Sequence, residues 1–546
     1  MKSTFIQAII FYLILIGCGV SQTTPTGGPQ DEIPPVLISS NPKNGQKNFK
    51  GKTLELDFNE DVKLKDPKEE ILITPFPGKN VKFSAKKNKI IIEPEDEWKD
   101  STTYSLTFRE GIQDLTEGNP AENLRLAFST GNEIDSLSIN GSVSEVFSEK
   151  IPEKITVALY QSDTFDIFNH TPTYLTKSDK KGKFSIQNLK AGTYYIYAFN
   201  DKNKNLKIES KTEKFGYLVK PIELLKNSDS LNINLITVDA RPLAISSIRH
   251  TNKTTRVRFN KSIDSIKVSG IKNEQAQYIL DDQHSEIIFY HSFDDTDSLA
   301  ARIVAKDSVN QLFDSTFYIK YSSTKMAAES FKLSEKAYEY SIQHKTLNHT
   351  LSFNKPLATI NLDSIYIKLD SATTTSIKAA NLSIDSLYHT IIFSAKIDKP
   401  ADTLADGKLN NFRPYLRYGK GAFISVEQDS SKTISKVISF PKEDDTGLVT
   451  GKITTQEKNY EIQLTTFDNK VVEKLINAKE INLQYLTPQD YRVRIIIDTN
   501  GNGKWDPGNF YKKIEPEKVI LYKSDEGKYT FPIRANWEYG PLMIKF

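Results

Sequence analysis

The sequence predicts an all-β chain, organised as a tandem array of about five β-sandwiches behind an N-terminal signal peptide. Three observations support this fold class: residues that favour strands are abundant, two strand patterns recur, and apolar residues lack helical spacing. The 546 residues include 29 Phe and 25 Tyr, with 25 Gly and 23 Pro. Aromatic residues are enriched in strands, and Gly and Pro punctuate the turns between them. No long run of apolar residues has the spacing of a helix.

The N-terminal residues 1–17 have the pattern of a signal peptide. Lys2 supplies the positive charge, and the apolar residues 5–16 follow it. This apolar run is shorter than the roughly 20 residues of a transmembrane helix, so we expect it to be cleaved. The next residue, Cys18, is the single cysteine of the chain, which excludes an intramolecular disulfide.

The residues before Cys18 resemble the lipobox of bacterial lipoproteins. Leu15 stands three positions before the cysteine and Gly17 directly before it, although Ile16 is bulkier than the residue usual at its position. The resemblance implies that Cys18 is acylated with chains such as palmitate. Each buried methylene contributes roughly 0.8 kcal/mol, so two or three acyl chains would anchor the protein permanently in a membrane. The alternative is an ordinary signal peptide with an incidental thiol.

Residues 18–32 have the composition of a flexible tether, with Gly, Ser, Thr and Pro prominent. Gly19 differs from the aspartate that retains many enterobacterial lipoproteins in the inner membrane. The tether also lacks the acidic cluster of many surface-exported lipoproteins of the Bacteroidetes. These comparisons imply anchoring in the outer membrane, with the periplasmic face favoured over the cell surface.

The charge balance indicates the kind of partner to expect. The chain has 72 Lys and Arg against 69 Asp and Glu, a formal net charge of +3, and the two signs are interspersed. No concentrated positive field is present to attract nucleic acid, so we expect no nucleic-acid partner.

One strand pattern occurs three times. An aliphatic residue and a Phe alternate with polar residues, followed by Asn, a charged residue and, two positions later, another aliphatic residue. Period-two alternation places the aliphatic residue and the Phe on one buried face of a strand. The copies are residues 56–62, 257–263 and 351–357, and the apolar strands downstream of them are residues 90–92, 287–289 and 391–393. Three related β-domains are the simplest interpretation.

The first copy resembles the bacterial Ig-like family of S-layer and cell-surface proteins over residues 33–131. The resemblance rests on Phe58-Asn59-Glu60, on the Tyr-x-Leu-x-Phe element at 104–108 and on the closing Phe-Ser-Thr-Gly at 128–131. The copies at 238–323 and 324–441 keep the Phe-Asn strand and are predicted to be divergent Ig-like domains. The resemblance implies a structural or adhesive module rather than a catalytic one.

A second repeat aligns residues 184–201 with residues 481–498 without a gap. The segments Gly182-Lys183-Phe184 and Gly-Thr-Tyr-Tyr at 192–195 resemble the transthyretin-like or carboxypeptidase-regulatory-like β-sandwich. We therefore predict sandwiches of this second kind at residues 132–237 and 442–546. The predicted array is then a row of five sandwiches of two kinds.

The best ligand candidate follows the second copy of this repeat. Oxygen-bearing side chains occupy positions 1, 3, 5 and 9 of the pattern of a calcium loop: Asp498, Asn500, Asn502 and Asp506. Gly503 stands at position 6, but Asn509 replaces the glutamate of position 12. The alternative is an Asn-Gly turn whose side chains cap their own backbone. The matching loop at 201–209 lacks the glycine and has three lysines, so it should bind calcium weakly or not at all. No cofactor is required, and Ca²⁺ is the candidate ligand.

A short motif, Asp followed by Ser or Thr and an aliphatic residue, recurs along the chain. It resembles the O-glycosylation sequon of Bacteroidetes, although it also suits a turn entering a strand. The candidate residues are Ser136, Ser265, Ser298, Ser364, Ser386 and Thr403.

No catalytic residue is predicted. The seven histidines lack the spacing of a zinc motif, and no nucleophile elbow or phosphate loop occurs. The sequence therefore predicts a non-catalytic cell-envelope lipoprotein that presents its sandwiches to a protein or glycan partner. The alternative is a glycan-capture or hydrolytic lipoprotein with a site at a domain junction. A cleft with polar and aromatic side chains between sandwiches would favour that alternative.

Overall fold

A computed structural model describes residues 31–78, 80–162, 166–272, 276–292, 298–325, 329–385, 390–401, 403 and 410–546. Within these ranges the chain forms 42 strands, one four-residue α-helix and three 3-10 turns. This composition confirms the all-β fold class. Cys18 and Ser386 lie outside the described residues, as does nearly all of the predicted tether.

The first sandwich packs two main sheets and a two-stranded ribbon. The sheets have the strand orders β1-β2-β6-β5 and β4-β7-β9, and β3 pairs with β8. Alternation places Leu56 and Phe58 in the core, as predicted from the repeat, and both are fully buried. The elements are β1 Leu37–Asn41, β2 Leu54–Phe58, β3 Val62–Leu64, α1 Pro67–Glu70, β4 Leu72–Thr74, β5 Val81–Lys86, β6 Lys89–Pro94, β7 Thr103–Thr107, β8 Ile112–Asp114 and β9 Arg125–Ser129.

The second sandwich contains eight strands in two sheets. Its elements are β10 Leu137–Glu145, β11 Thr156–Tyr160, β12 Tyr174–Lys177, β13 Lys183–Leu189, β14 Gly192–Phe199, β15 Phe215–Tyr217, β16 Ile222–Leu224 and β17 Ser228–Leu235. One sheet has the order β13-β10-β17 and the other β12-β11-β14-β15, with β16 also pairing with β14. Strands β10 and β17 are parallel and lie close together at Gly141. A Cβ atom there would approach the Leu231 carbonyl oxygen to 2.4 Å, so only glycine fits.

The third and fourth sandwiches repeat the first sheet of the first sandwich. The order β1-β2-β6-β5 recurs as β18-β19-β22-β21 and as β25-β26-β31-β30, and Phe259 and Phe353 are core residues. The strands of the third are β18 Ile245–His250, β19 Thr254–Phe259, β20 Ser265–Ser269, β21 Ala276–Leu280, β22 Glu286–His291, β23 Ser298–Lys306 and β24 Leu312–Lys320. Those of the fourth are β25 Leu333–Ser341, β26 Thr346–Phe353, β27 Leu357–Ile360, β28 Ile365–Lys368, β29 Thr374–Ser376, β30 Leu382–Asp385, β31 Thr390–Lys396, β32 Tyr415–Tyr418, β33 Phe423–Ser425 and β34 Ile434–Val437. The 3-10 turns are Leu362–Ser364, Ala379–Asn381 and, just before the fifth sandwich, Glu443–Asp445.

The fifth sandwich has the same topology as the second. Its sheets have the orders β38-β35-β42 and β37-β36-β39-β40, with β41 also pairing with β39, and β35 runs parallel to β42. The strands are β35 Gly447–Thr454, β36 Tyr460–Thr466, β37 Val471–Ile476, β38 Glu480–Leu486, β39 Gln489–Ile497, β40 Val519–Leu521, β41 Phe531–Ile533 and β42 Glu538–Lys545. The exact domain boundaries stay a prediction, because strand limits do not define them.

Strands β11 and β36 are buried on both faces along their whole length. In β11, Val157 and Leu159 face the core of the second sandwich, whereas Ala158 and Tyr160 belong to a separate cluster on the other side of the sheet. That cluster includes Phe510 and Trp505 of the fifth sandwich. The array is therefore not an open row, because the fifth sandwich returns to pack on the second.

Candidate calcium loop and sandwich interfaces

The candidate calcium loop begins where β39 ends, at Asp498. This carboxylate is 5% exposed and accepts hydrogen bonds from the backbone N–H groups of Asn502 at 3.1 Å and Gly503 at 2.8 Å. The Asn500 side-chain oxygen also accepts from the Asn502 N–H at 3.0 Å. These bonds within the loop are the ones expected of the turn alternative.

The structure brings all four predicted ligand residues together. The side-chain amides of Asn500 and Asn502 both donate to the Asp506 carboxylate, the latter at 2.8 Å. An asparagine amide presents its oxygen instead when it rotates by half a turn. With both amides turned, two amide oxygens would face the Asp506 carboxylate, but they would give up the backbone N–H groups of Asn502 and Lys504, and Ca²⁺ takes six to eight oxygens in all. Calcium binding stays a prediction.

Glu517 closes this loop and was not among the predicted residues. Its carboxylate accepts from the Thr499 N–H at 2.7 Å, the Thr499 hydroxyl at 2.8 Å and the Asp506 N–H at 3.0 Å. Its carbonyl accepts from the Trp505 indole at 2.9 Å. Glu517 is 7% exposed, so its carboxylate holds the two ends of the loop together from the buried side.

The loop of the second sandwich has the same construction. The Asp201 carboxylate accepts from the backbone of Asn205 and Leu206, both at 3.0 Å, and Glu213 accepts from the backbone of Lys202 at 2.8 Å and Glu209 at 3.0 Å. Glu213 thus corresponds to Glu517, and this correspondence is the signal by which Glu517 could have been found. Burial raises the pKa of Asp201 above its ordinary value, although backbone N–H groups oppose the shift.

The two loops differ by an insertion before the closing glutamate. In the fifth sandwich the extra residues form a hairpin, residues 507–514, here called the docking hairpin. The backbones of Asn509 and Ile514 exchange hydrogen bonds of 2.9 and 3.0 Å across it. In the second sandwich only three residues separate Glu209 from Glu213.

The docking hairpin packs on the outer sheet face of the second sandwich. The ring of Phe510 lies 5.4 Å from those of Phe168 and Tyr217, both in edge-on contact. The Tyr217 hydroxyl donates to the Ile514 carbonyl at 2.6 Å, and the Val219 N–H donates to the Glu515 carboxylate at 2.9 Å. A cavity of about 10 Å³ lies in the joint, at the lower limit for one water molecule.

The third sandwich also contacts the docking hairpin. The Asn509 side-chain amide donates to the Val309 carbonyl, and Asn509 is 4% exposed. Lys504, in the candidate calcium loop, lies 3.4 Å from the Asp264 carboxylate. The hairpin therefore joins three sandwiches.

A loop of the second sandwich covers the fifth in return. The guanidinium of Arg494 lies 4.6 Å from the ring centroid of Phe147, and Arg492 pairs with Glu149 at 2.8 Å. The Phe147 ring also contacts that of Trp505 edge-on at 4.8 Å. On the outer face of β36, Glu461 pairs with Lys474 at 2.9 Å and Gln463 accepts from Arg494, the side chain on which Phe147 lies.

A buried ion-pair cluster joins the first sandwich to the second. Glu70 of α1 pairs with Arg109 at 3.0 Å and with Lys154 of the second sandwich at 2.8 Å, and its side chain is 7% exposed. Burial acts to raise the pKa of Glu70, but the hydrogen bonds and charges of Lys154 and Arg109 outweigh it and hold the pKa below its ordinary value.

A cleft of about 840 Å³ lies beside this cluster, between the first and second sandwiches. Apolar residues of β4 and β5 form one wall, and the Asp201 loop forms part of the other. Phe76 and Phe83 supply aromatic rings, and lysines and carboxylates stand among them. The structure thus contains the kind of junction cleft that the alternative function calls for.

Four of the candidate glycosylation residues lie at or directly before the start of a strand. Ser265 and Ser298 are the first residues of β20 and β23, and Ser364 directly precedes β28. Ser136, Ser265, Ser298 and Thr403 are exposed, whereas Ser364 is half-buried. Glycosylation stays a prediction.

Searches of the described residues for metal clusters and membrane spans gave no match. In this part of the chain no group of three or more His, Cys, Asp or Glu side chains is arranged to hold a metal ion. None of the described helices has the length and apolarity needed to cross a bilayer.

Comparison with known proteins identifies one module of the chain. Residues 31–130 match the bacterial Ig-like domain family. This match confirms the resemblance predicted for the first sandwich. No curated protein sequence matches the chain.

Two solved structures show remote similarity. Dimeric latent PorU from Porphyromonas gingivalis has 8% identity and a TM-score of 0.22, covering 54% of this chain and 35% of its own. BcpA, the major pilin subunit of Bacillus cereus, has 8% identity and a TM-score of 0.12, covering 75% of this chain and 99% of its own. The chain thus spans about a third of PorU's length. Neither similarity indicates a function.

Proposed function

We propose that this chain is a non-catalytic scaffold of the cell envelope, anchored by lipid at Cys18 in the outer membrane. It faces the periplasm and presents its sandwiches to a protein or glycan partner. The observation that carries this proposal is the bacterial Ig-like match over residues 31–130, and the step from that fold to a scaffold role is an analogy.

The contacts between sandwiches support a scaffold role. The first sandwich is joined to the second by the Glu70 cluster, and the docking hairpin joins the second, third and fifth. Joints of this kind hold modules in fixed relation, which lowers the entropy lost when several of them bind one partner.

Metabolic labelling with an alkyne-tagged palmitate analogue tests the anchor. We expect the native chain to carry the label and to fractionate with the outer membrane, while Cys18→Ser removes both properties. External protease should leave the chain intact in whole cells and digest it after the outer membrane is permeabilised. Labelling that persists in Cys18→Ser would contradict the anchor.

Crosslinking in intact cells tests the scaffold role. A cleavable crosslinker followed by capture of the native lipoprotein should recover one envelope protein, or one glycan, reproducibly. Phe510→Ala, which weakens a joint and leaves the anchor intact, should reduce that recovery. A chain that shows no crosslinked partner in its native membrane would contradict the role.

The second candidate function is capture of a ligand at a domain junction. The cleft of about 840 Å³ between the first two sandwiches favours it. Its volume falls within the range of small-molecule sites. This candidate needs no catalytic group and is compatible with a lipid-anchored chain.

A further inference from the structure

The junction between the first and second sandwiches contains a large cleft, whereas the junction between the second and fifth is closely packed. The joint at the docking hairpin leaves about 10 Å³, whereas the cleft between the first two sandwiches has about 840 Å³. Ile71 and Leu72 at β4, Phe83 of β5 and Leu206 of the Asp201 loop give this cleft an apolar lining. A ligand that fills it would remove apolar surface from water, which favours binding.

Lysines stand along this apolar lining. They are Lys68, Lys177, Lys204 and Lys207, facing the carboxylates of Asp66, Glu69 and Asp201. Lys177 pairs with Glu69 at 2.5 Å, Lys204 lies 4.0 Å from the other oxygen of the same carboxylate, and the Asp201 carboxylate accepts hydrogen bonds from its own loop. Among the described residues, Lys68 and Lys207 form no ion pair. Their ammonium groups are available to an anion.

Two residues that line the cleft adopt an unfavourable backbone conformation. Lys204 and Leu206 have φ values of 60° and 59°, in the left-handed region. At the corresponding positions of the fifth sandwich, Gly501 and Gly503 have φ values of 71° and 75°. Glycine adopts this region without steric cost, whereas a leucine or lysine does not.

The comparison between the two loops indicates a use for these side chains. In the second sandwich, Lys204 and Leu206 stand where the loop of the fifth sandwich has glycines. Both side chains line the cleft. Unfavourable backbone conformations of this kind concentrate at ligand-binding sites. One of the two groups suits an anion and the other an apolar chain.

We infer that this cleft binds a monomeric anionic amphiphile. Its carboxylate, sulfate or phosphate head lies at Lys68, Lys204 and Lys207, and its apolar chain lies against Phe83 and Leu206. Aliphatic walls offer few hydrogen-bond partners to a sugar, so the lining favours an amphiphile over a glycan. The inference deepens the second candidate function and does not depend on acylation of Cys18.

Calorimetric titration of the mature chain, residues 18–546, tests this inference. With Cys18→Ser this chain carries neither the apolar signal segment nor the proposed acylation, so the titration needs no detergent. Dodecanoate below its micellar concentration should bind with a stoichiometry of one. Butyrate, which lacks the long chain, and dodecyltrimethylammonium, which has the opposite charge, should bind at least tenfold more weakly.

Matched variants place the site. Lys207 and Lys504 occupy corresponding positions in the two loops, but only Lys207 lines the cleft. Lys207→Ala should lower the affinity for dodecanoate about fivefold, as expected for a partly exposed charged contact, while Lys504→Ala leaves it unchanged. Leu206→Gly should fold, because glycine occupies the corresponding position, 503, in the fifth sandwich. This variant should also bind dodecanoate more weakly.

Several results would overturn the inference. They are equal affinity for dodecanoate and dodecyltrimethylammonium, equal losses from Lys207→Ala and Lys504→Ala, and no binding of dodecanoate. Sedimentation with phosphatidylglycerol vesicles separates a bilayer from a free amphiphile. Retention on these vesicles without binding of free dodecanoate would assign the lysines to a membrane surface and reject the cleft. Palmitate labelling at Cys18 is independent of all these outcomes.

Discussion

At the scale of single residues, the loops that begin at Asp498 and Asp201 allow calcium affinity to be compared on matching backbones. Asp498 and Asp201 accept the same pair of backbone hydrogen bonds, but the second loop has three lysines and no glycine. Positive charge repels a cation, so the two loops should differ in calcium affinity although their backbones match.

We expect millimolar calcium to raise the Tm of the transition that includes the fifth sandwich. Binding to the folded state alone stabilises it in proportion to the logarithm of ligand concentration. Asp498→Asn should abolish the shift, and Asp201→Asn should leave it in place. Scanning calorimetry with calcium, magnesium and EDTA measures this, and an unchanged Tm in calcium would reject the site.

The Glu70 cluster should make the first junction sensitive to acid. Because the pKa of Glu70 is held below its ordinary value in the folded chain, its contribution is complete above the pKa of an unfolded glutamate, about 4.3. The contribution is lost as the pH falls through the lowered pKa. Glu70→Gln should therefore lower the Tm at pH 7, and its difference from the wild type should shrink towards pH 3.

The exposed Glu153 provides the control for this acid dependence. Glu153→Gln should follow the wild type at every pH. Arg109 is largely buried but Lys154 is half-exposed, so we expect Glu70→Gln to cost about 2 kcal/mol at pH 7, above the effect of an exposed charge. A Glu70→Gln curve that stays parallel to the wild type down to pH 3 would contradict the assigned role.

At the scale of elements, the docking hairpin is the feature that turns a row of sandwiches into a closed arrangement. It is an insertion in a loop that is otherwise shared with the second sandwich, and Phe510 contributes most of its ring contacts. Phe510→Ala should lower the free energy of unfolding by about 2 kcal/mol. Truncating a fully buried Phe to Ala costs about 3 to 5 kcal/mol, and Phe510 is only half-buried.

The effect of Phe510→Ala should be local. Hydrogen exchange should speed up in β11, β15 and the hairpin, which lose cover, and should stay unchanged in the first sandwich. Tyr511→Ala is the matched control, because that neighbouring ring is 51% exposed. No acceleration in Phe510→Ala would show that this ring does not hold the joint.

Local patterns in the sequence predicted much of the fold. Leu56 and Phe58 alternate with polar residues and are buried as expected, and the gapless repeat corresponds to two sandwiches of identical topology. Three of the oxygen-bearing side chains after β39, those of Asn500, Asn502 and Asp506, contact one another, and calcium binding at them stays a prediction. These features depend on neighbours within a few residues, which is why a sequence pattern carries them.

Contacts between distant residues were not predictable in the same way. Glu517 supports the Asp498 loop across an insertion of variable length, so no fixed spacing marks it. Tyr217 meets Ile514 and Asn509 meets Val309 through packing of separate sandwiches. An aromatic residue in an exposed hairpin has the same sequence signature whether it faces solvent or another domain.

At the scale of the whole molecule, the fifth sandwich docks on the second, so the array is closed rather than an open row. The outer face of β11 is buried by this arrangement, since Ala158 and Tyr160 share a cluster with Phe510 and Trp505 of the fifth sandwich. The N-terminal sandwich joins the same body through Glu70. The junction cleft and the candidate calcium loop then lie at two joints of one structure.

Crosslinking between positions 219 and 515 tests this claim most directly. The Val219 N–H and the Glu515 carboxylate are 2.9 Å apart, so cysteines placed at both positions in the Cys18→Ser chain should react with a short bismaleimide. The predicted result is an intramolecular crosslink at dilute protein concentration, identified by mass spectrometry and lost on unfolding in urea. Crosslinks only between molecules, or none in the folded chain, would contradict the closed scaffold.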